Sequence, residues 1–131
     1  MKPEQLIEIA VHALENAHAP YSDYKVGAAL LCADGTVFRG CNVENASYGL
    51  TNCAERTAFF SAIAAGQLEF TAMAIASSKE PTPFPCGACR QVMAEFCGPD
   101  FPVYIADGDG FESTTLGELL PHSFDFSGNR K

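Results

Sequence analysis

The segment CAERTAFFSAIAAG, residues 53–66, carries the clearest signal for the fold. It predicts a helix that starts at Cys53 and has Glu55 in its first turn. Alanine, glutamate and arginine favour a helix over residues 53–65, and Gly66 provides a glycine cap at the C-terminal end. A second helix is expected over residues 86–97, closed by the pair Gly98-Pro99. We therefore expect two helices that each begin at a cysteine.

Hydrophobic periodicity and turn residues predict the other elements. Apolar residues at helical spacing predict an amphipathic helix over 3–16 and a short helix over 116–120. Strands, the first two joined by an Asp34-Gly35 turn, are predicted over 26–31, 36–41, 70–77, 102–106 and 111–114. Since no linker or repeat interrupts this order, we predict one α/β domain over residues 1–126, with helices on a mixed sheet of about five strands. Residues 127–131 are expected to form a disordered tail.

Composition limits the possible classes of function. The 131 residues are 47% hydrophobic and 18% charged, as in a globular domain, and no apolar run reaches the roughly 18 residues of a membrane helix. No secretory signal is recognisable, so we expect a cytoplasmic protein whose six cysteines are thiols or ligands and whose partners include no membrane. The net charge of −8, without a basic stripe, argues against nucleic acid as a partner.

Three cysteines have the spacing of metal ligands. Cys86 and Cys89 lie about one helical turn apart, at roughly 1.5 Å of rise per residue, so both thiolates can reach one ion from a helix N-terminus. Cys53 starts the other predicted helix, and zinc prefers such thiolate ligands. Three protein ligands leave the fourth tetrahedral position for water, which is the arrangement of a catalytic zinc site.

Glu55 lies two residues after Cys53, close to the expected metal without needing to bind it. A carboxylate in that position can carry protons to and from the water that the metal activates. The pattern therefore predicts hydrolytic chemistry with Glu55 as the catalytic residue.

Two other classes of function remain open at this point. A thiol–disulfide oxidoreductase could use Cys86 and Cys89 alone, but it would leave Cys53 and Glu55 without a role. A zinc-stabilised interaction module would need a fourth ligand. The candidates for that ligand, none at ligand spacing to another, are Cys32, Cys41, Cys97, His12, His18 and His122. For these cysteines a small buried side chain is the better interpretation.

Three thiolates give a zinc site a net negative charge, which raises the pKa of bound water and weakens the metal as a Lewis acid. A guanidinium that donates to a thiolate sulfur would offset this charge. We expect Arg56 in this role, whereas for Arg90 a solvent-facing position is an equally good interpretation.

Five segments together resemble the zinc nucleoside deaminases and, within them, the small homotetrameric cytidine deaminases. These segments are YS (21–22), VGAAL (26–30), GCNVENA (40–46), CAERTA (53–58) and PCGACRQ (85–91). The resemblance implies a three-layer α/β/α fold, one zinc ion per subunit, and hydrolytic deamination of cytidine and deoxycytidine in pyrimidine salvage. The alternative is a deaminase of a related cytosine nucleoside antibiotic.

The resemblance also implies roles for individual residues. Asn42 and Glu44 would bind the ribose hydroxyls, which favours cytidine over a modified antibiotic nucleoside, and Ala54 would contact the pyrimidine through its backbone. Tyr24 stands where the family often has phenylalanine, so its ring would stack on the base while its hydroxyl needs a partner. Tyr48 and Phe124 would approach the active site of a neighbouring subunit in the tetramer.

Overall fold

A computed structural model of the protein describes residues 1–124. The predicted end of the domain at residue 126 and the predicted disordered tail over 127–131 lie outside the described residues. No helix in the described part has the length and apolar character needed to span a membrane.

Residues 1–124 form four α-helices and five strands. The helices are α1 (Pro3–Ala13), α2 (Ala54–Ala64), α3 (Gly87–Phe96) and α4 (Leu116–Leu119). The strands are β1 (Val26–Cys32), β2 (Val37–Cys41), β3 (Phe70–Ser77), β4 (Pro102–Asp107) and β5 (Gly110–Thr115). Single 3₁₀ turns cover Leu14–Asn16, which tightens the end of the first predicted helix, and Tyr48–Leu50, which the sequence analysis did not predict.

The five strands form one mixed sheet in the order β2-β1-β3-β4-β5. The β3 and β4 strands pair in parallel, and the other neighbouring strands pair antiparallel. The β1–β2 turn is the predicted one, with Gly35 at φ +92°, a conformation that glycine adopts without a steric penalty. The predicted mixed sheet of about five strands is confirmed.

Helices cover both faces of the sheet, which confirms the predicted three-layer architecture. In β3 the alternate residues Ala72 and Ala74 face the α1 layer, while Met73 and Ile75 face the core beneath α2 and α3. The small alanines let α1 lie close to the sheet, and the larger side chains fill the wider space on the opposite face.

A glycine on β2 fixes how closely α2 approaches the sheet. A Cβ atom built at Gly40 would lie 2.2 Å from the Ala54 carbonyl oxygen and 2.6 Å from the Ala58 nitrogen, so glycine is needed for this contact. The start of α2 is therefore pressed against β2, and this contact sets the position of the residues around Cys53.

Candidate metal centre and active site

The structure brings Cys53, Cys86 and Cys89 together as one cluster. Their Sγ atoms all lie within 4.8 Å of one another, with 3.6 Å between Cys53 and Cys86 and 3.5 Å between Cys86 and Cys89. Cys53 and Cys86 are the extended N-cap residues of α2 and α3, so each helix starts one residue later than predicted. Two helix starts from distant parts of the sequence thus converge on one point.

The cluster fits zinc. Tetrahedral ligation with Zn–S bonds of about 2.3 Å places sulfur atoms roughly 3.8 Å apart, close to the two shorter separations in the cluster. Among residues 1–124 no fourth cysteine, histidine or carboxylate belongs to the set. Such a set leaves one coordination position open, whereas a purely structural zinc site is closed by four protein ligands.

The two helix N-termini favour thiolates at the cluster. The first turn of a helix carries unpaired N–H groups and a partial positive charge, and Cys53 and Cys86 lie at that end of α2 and α3. Cysteine thiolates are stabilised in such positions, which prepares the ligands for a divalent cation.

Arg56 contacts the cluster directly. Its Nη2 atom lies 3.3 Å from Cys53 Sγ, and its buried Nε atom has no hydrogen-bond partner within the described residues. Hydrogen bonds from the Cys89 thiol and the Arg56 guanidinium hold the pKa of the Cys53 thiol well below its usual range, whereas the bond to Cys53 and burial raise the pKa of Cys89. The guanidinium therefore supplies positive charge where three thiolates would accumulate negative charge.

Arg90 has a different role from Arg56. Its Nε atom donates to the Pro85 carbonyl oxygen and its Nη1 atom to the Leu119 carbonyl oxygen, both at 2.7 Å. The solvent-facing interpretation of Arg90 is wrong, because these two bonds hold a half-buried guanidinium against the backbone. Arg90 joins α3 to the preceding loop and to α4.

Glu55 is buried beside the cluster. Only 4% of the residue is exposed, and this burial raises the pKa of its carboxyl group to about 7. A group with a pKa near neutrality can both accept and release a proton under ordinary conditions. Glu55 therefore has the protonation behaviour that a proton shuttle requires.

A cleft opens onto the cluster and Glu55. Its volume is about 420 Å³, within the range of small-molecule sites, about 300–1,000 Å³. Lining residues with predicted roles are Tyr24, Asn42, Glu44, Cys53, Ala54, Glu55 and Cys86. Lining residues without predicted roles are Ser22, Val26, Thr51, Pro81, Thr82, Pro83 and Phe84. For residues 81–84 the sequence signal was the proline-rich loop itself, because it directly precedes Cys86 and had to pass beside the cluster.

Asn42 and Glu44 are held in fixed orientations on one wall of the cleft. Asn42 Oδ1 accepts from the Val26 N–H and its Nδ2 donates to the Tyr24 carbonyl, both at 2.9 Å. Glu44 accepts from the Ser22 hydroxyl and from the N–H groups of Tyr21 and Ser22, and these bonds lower the pKa of its carboxyl group. Each side chain keeps further hydrogen-bonding capacity for a ligand.

The predicted aromatic residues occupy two different environments. Tyr24 lines the cleft and its hydroxyl finds its partner in the Pro81 carbonyl oxygen. Tyr48 and Phe124 are 78% and 69% exposed and lie outside the lining of the cleft, with Tyr48 edge-on to the Tyr21 ring. Tyr48 lines a neighbouring pocket together with Ser22, Glu44 and Thr51, which also line the cleft, whereas Phe124 is not among the described lining residues of either.

The remaining cysteines lie outside the cluster. Cys32 and Cys97 are buried in the core beneath α2 and α3, and Cys41 is half-buried at the end of β2. Burial raises the pKa values of the Cys32 and Cys41 thiols, so both are protonated near neutral pH. These environments agree with the interpretation of small buried side chains.

Comparison with known proteins shows similarity over most of the chain. The family model for the cytidine and deoxycytidylate deaminase zinc-binding region matches residues 1–105. The cytidine deaminase of Sporosarcina psychrophila is 51% identical over 95% of this chain and 92% of its own length. That of Halalkalibacterium halodurans is 54% identical over 95% of both chains.

Solved structures agree with the curated relatives. The cytidine deaminase of Burkholderia pseudomallei superposes with a TM-score of 0.90 at 54% identity, over 95% of this chain and 100% of that one. The Mycobacterium tuberculosis enzyme gives a TM-score of 0.84 at 37% identity, over 96% and 99%. The cytidine deaminase-like fold is confirmed, and the oxidoreductase and interaction-module alternatives are wrong. The zinc-binding region matches, the similarity covers nearly the full length of the relatives, and the fold is shared. This chain therefore belongs to the cytidine and deoxycytidylate deaminase family.

Proposed function

We propose that this chain catalyses the hydrolytic deamination of cytidine and deoxycytidine to uridine and deoxyuridine, releasing ammonia. The observation that carries the proposal is a three-thiol cluster next to a buried carboxylate in a cleft of about 420 Å³, in a member of a deaminase family. The antibiotic nucleoside alternative is less favoured, because the matched relatives are cytidine deaminases and the cleft presents Asn42 and Glu44 to an unmodified sugar.

Cys53, Cys86 and Cys89 would hold one zinc ion per subunit. When bound, zinc lowers the pKa of a water molecule in its open position and so supplies a nucleophile at neutral pH. Arg56 would offset the negative charge of the thiolates through its contact with Cys53 Sγ.

Glu55 would move the protons of the reaction. Its carboxylate takes a proton from the attacking water and gives it to N3 of the cytosine ring. It then carries the proton of the new C4 hydroxyl group to the departing amino group, which leaves as ammonia. Burial of Glu55 excludes solvent from these transfers and keeps its pKa near neutrality.

The opposite wall of the cleft would bind the nucleoside. Asn42 and Glu44 are already oriented by their bonds to the backbone. They can therefore accept from and donate to the ribose hydroxyls without the free-energy cost of ordering their side chains on binding. The Ala54 backbone would contact the pyrimidine, and the Tyr24 ring would stack against it.

We also propose a homotetramer with shared active sites, working in cytoplasmic pyrimidine salvage. Each subunit would be a single domain over residues 1–126. Tyr48 and Phe124, which are 78% and 69% exposed on one chain, are accessible to a neighbouring subunit, as the family resemblance implies. A light-scattering mass near that of a monomer would contradict this assembly.

The first experiment follows the ultraviolet absorbance of cytidine mixed with zinc-replete protein, with ammonia measured in parallel. Equimolar uridine and ammonia are expected, activity should be lost on chelation, and it should return with added zinc. A cytosine nucleoside antibiotic serves as the second substrate. An unchanged cytidine spectrum with zinc bound would contradict the proposal, and turnover of the antibiotic alone would favour the alternative.

A further inference from the structure

The two walls of the cleft come from segments far apart in the sequence. Tyr24 lies just before β1, and Pro81 lies in the loop between β3 and α3. The Tyr24 hydroxyl donates to the Pro81 carbonyl oxygen, so one hydrogen bond joins the walls. This bond joins the side chain of Tyr24 to the backbone of Pro81, and both residues line the cleft.

The loop has few hydrogen bonds of its own, among them the Phe84 N–H donating to the Thr82 carbonyl oxygen at 3.0 Å, which does not reach the opposite wall. Proline at positions 81, 83 and 85 removes three N–H donors from a stretch of five residues. The nearby ion pair between Lys79 and Asp23 joins side chains that are 51% and 92% exposed, and such pairs contribute little. The bond between the Thr82 hydroxyl and Asp107 is long, at 3.4 Å.

Tyr24 is a firm point of attachment. Its N–H donates to the Ser22 hydroxyl at 3.1 Å, and its carbonyl accepts from the buried Asn42 amide at 2.9 Å. Because Tyr24 is held at both backbone groups, its hydroxyl can fix the loop rather than follow it.

The far end of the loop is fixed separately. Arg90 Nε donates to the Pro85 carbonyl at 2.7 Å, immediately before the ligand Cys86. If the bond at Pro81 were lost, the resulting movement of the loop would therefore stop at Pro85 and would not reach the cysteine cluster. The Tyr24–Pro81 bond controls the middle of the loop, which carries Phe84 into the cleft, and leaves the cysteines in place.

We propose that the Tyr24 hydroxyl is a positioning group, a clasp that holds residues 81–84 at the distance from the opposite wall that a nucleoside needs. The clasp acts on substrate binding and leaves the chemical step unchanged. Naming a nucleoside as the occupant rests on the proposed function, whereas the clasp itself rests on the contacts of the two walls.

The test is Tyr24→Phe, which removes the hydroxyl and keeps the ring. We expect KM for cytidine to rise about 3- to 10-fold, the effect of one hydrogen bond of typical net strength, with kcat and zinc content unchanged. Amide hydrogen exchange at Thr82 and Phe84 should become faster. The matched control is Tyr104→Phe on β4, where the tyrosine packs against the α1 layer on the other face of the sheet.

Three outcomes would overturn the clasp. These are unchanged exchange at residues 82 and 84, faster exchange without a rise in KM, and a fall in kcat at constant KM. If the parent protein does not turn over cytidine, the proposed function fails, but the exchange comparison between Tyr24→Phe and Tyr104→Phe still decides whether the hydroxyl fixes the loop.

Discussion

The starts of α2 and α3 look alike in sequence and differ in the structure. Each helix follows a cysteine of the cluster and carries an arginine in its first turns. At α2, Ala54 and Glu55 are buried and Arg56 contacts the Cys53 sulfur. At α3 the residues directly after the N-cap cysteine are exposed, and the arginine binds backbone carbonyls instead.

In the proposed site, the start of α2 provides one thiol and the buried carboxylate, whereas the start of α3 provides two thiols and no carboxylate. The α2 start is pressed against β2 at Gly40, so its side chains lose contact with water and its charges act in a low-dielectric environment. The α3 start follows the proline-rich loop and places Cys86 and Cys89 of the cluster one helical turn apart, with Cys86 exposed. Substitutions at four positions, Glu55, Gly40, Arg56 and Arg90, test this difference.

The largest effect is expected at Glu55. Glu55→Gln should retain zinc, because the cluster consists of thiols, and should lose about 10²- to 10⁴-fold in kcat, since the amide cannot carry protons. The measurements are kcat and zinc content. The control is Glu95→Gln, the same change at an exposed position on α3, which should leave both values unchanged. A Glu55→Gln variant with nearly normal kcat would exclude Glu55 as the proton carrier.

The second effect tests the packing of α2. Gly40→Ala places a Cβ atom against the Ala54 carbonyl, so the helix must shift and the free energy of unfolding should fall by about 3 kcal/mol. Gly87→Ala, at the α3 start, meets no atom within 4 Å and should be neutral or slightly stabilising. Urea unfolding of the zinc-loaded variants measures both. Equal effects would contradict the packing difference.

The third effect separates the two arginines. Arg56→Ala should weaken zinc binding and lower kcat, each by about 10- to 100-fold, because the thiolate charge is no longer offset. Arg56→Lys keeps the charge but loses the planar fork, so an intermediate result is expected. Chelator competition gives the zinc affinity. Unchanged affinity and turnover in Arg56→Ala would show that the contact with Cys53 has no functional role.

The smallest effect on activity is expected at Arg90. Arg90→Ala removes two bonds to backbone carbonyls and should lower the free energy of unfolding by about 2 kcal/mol, with kcat little changed. Arg39→Ala, at an exposed position on β2, is the control and should change stability by less than about 0.5 kcal/mol. A large loss of zinc affinity in Arg90→Ala would contradict the difference between the two helix starts, because Arg90 would then act on the cluster as Arg56 does.

Local sequence patterns predicted most of the secondary structure. The Asp34-Gly35 pair predicted the β1–β2 turn, because the turn needs a residue at positive φ and glycine adopts it freely. The spacing of Cys86 and Cys89 predicted two ligands on one side of a helix start, since one turn separates them. The 3₁₀ turn at Tyr48–Leu50 was missed, because nothing in its sequence separates it from an ordinary loop.

Local sequence was enough to predict the α-helices and strands to within a few residues and the types of the candidate ligands, because backbone preference and side-chain chemistry are local properties. The sequence favoured Arg56 for the contact with the cluster, but the tertiary structure was needed to show that contact, the burial of Glu55 and the bond between Tyr24 and Pro81. Burial and long-range hydrogen bonds depend on which segments the sheet brings together, and adjacent positions in the chain do not specify that.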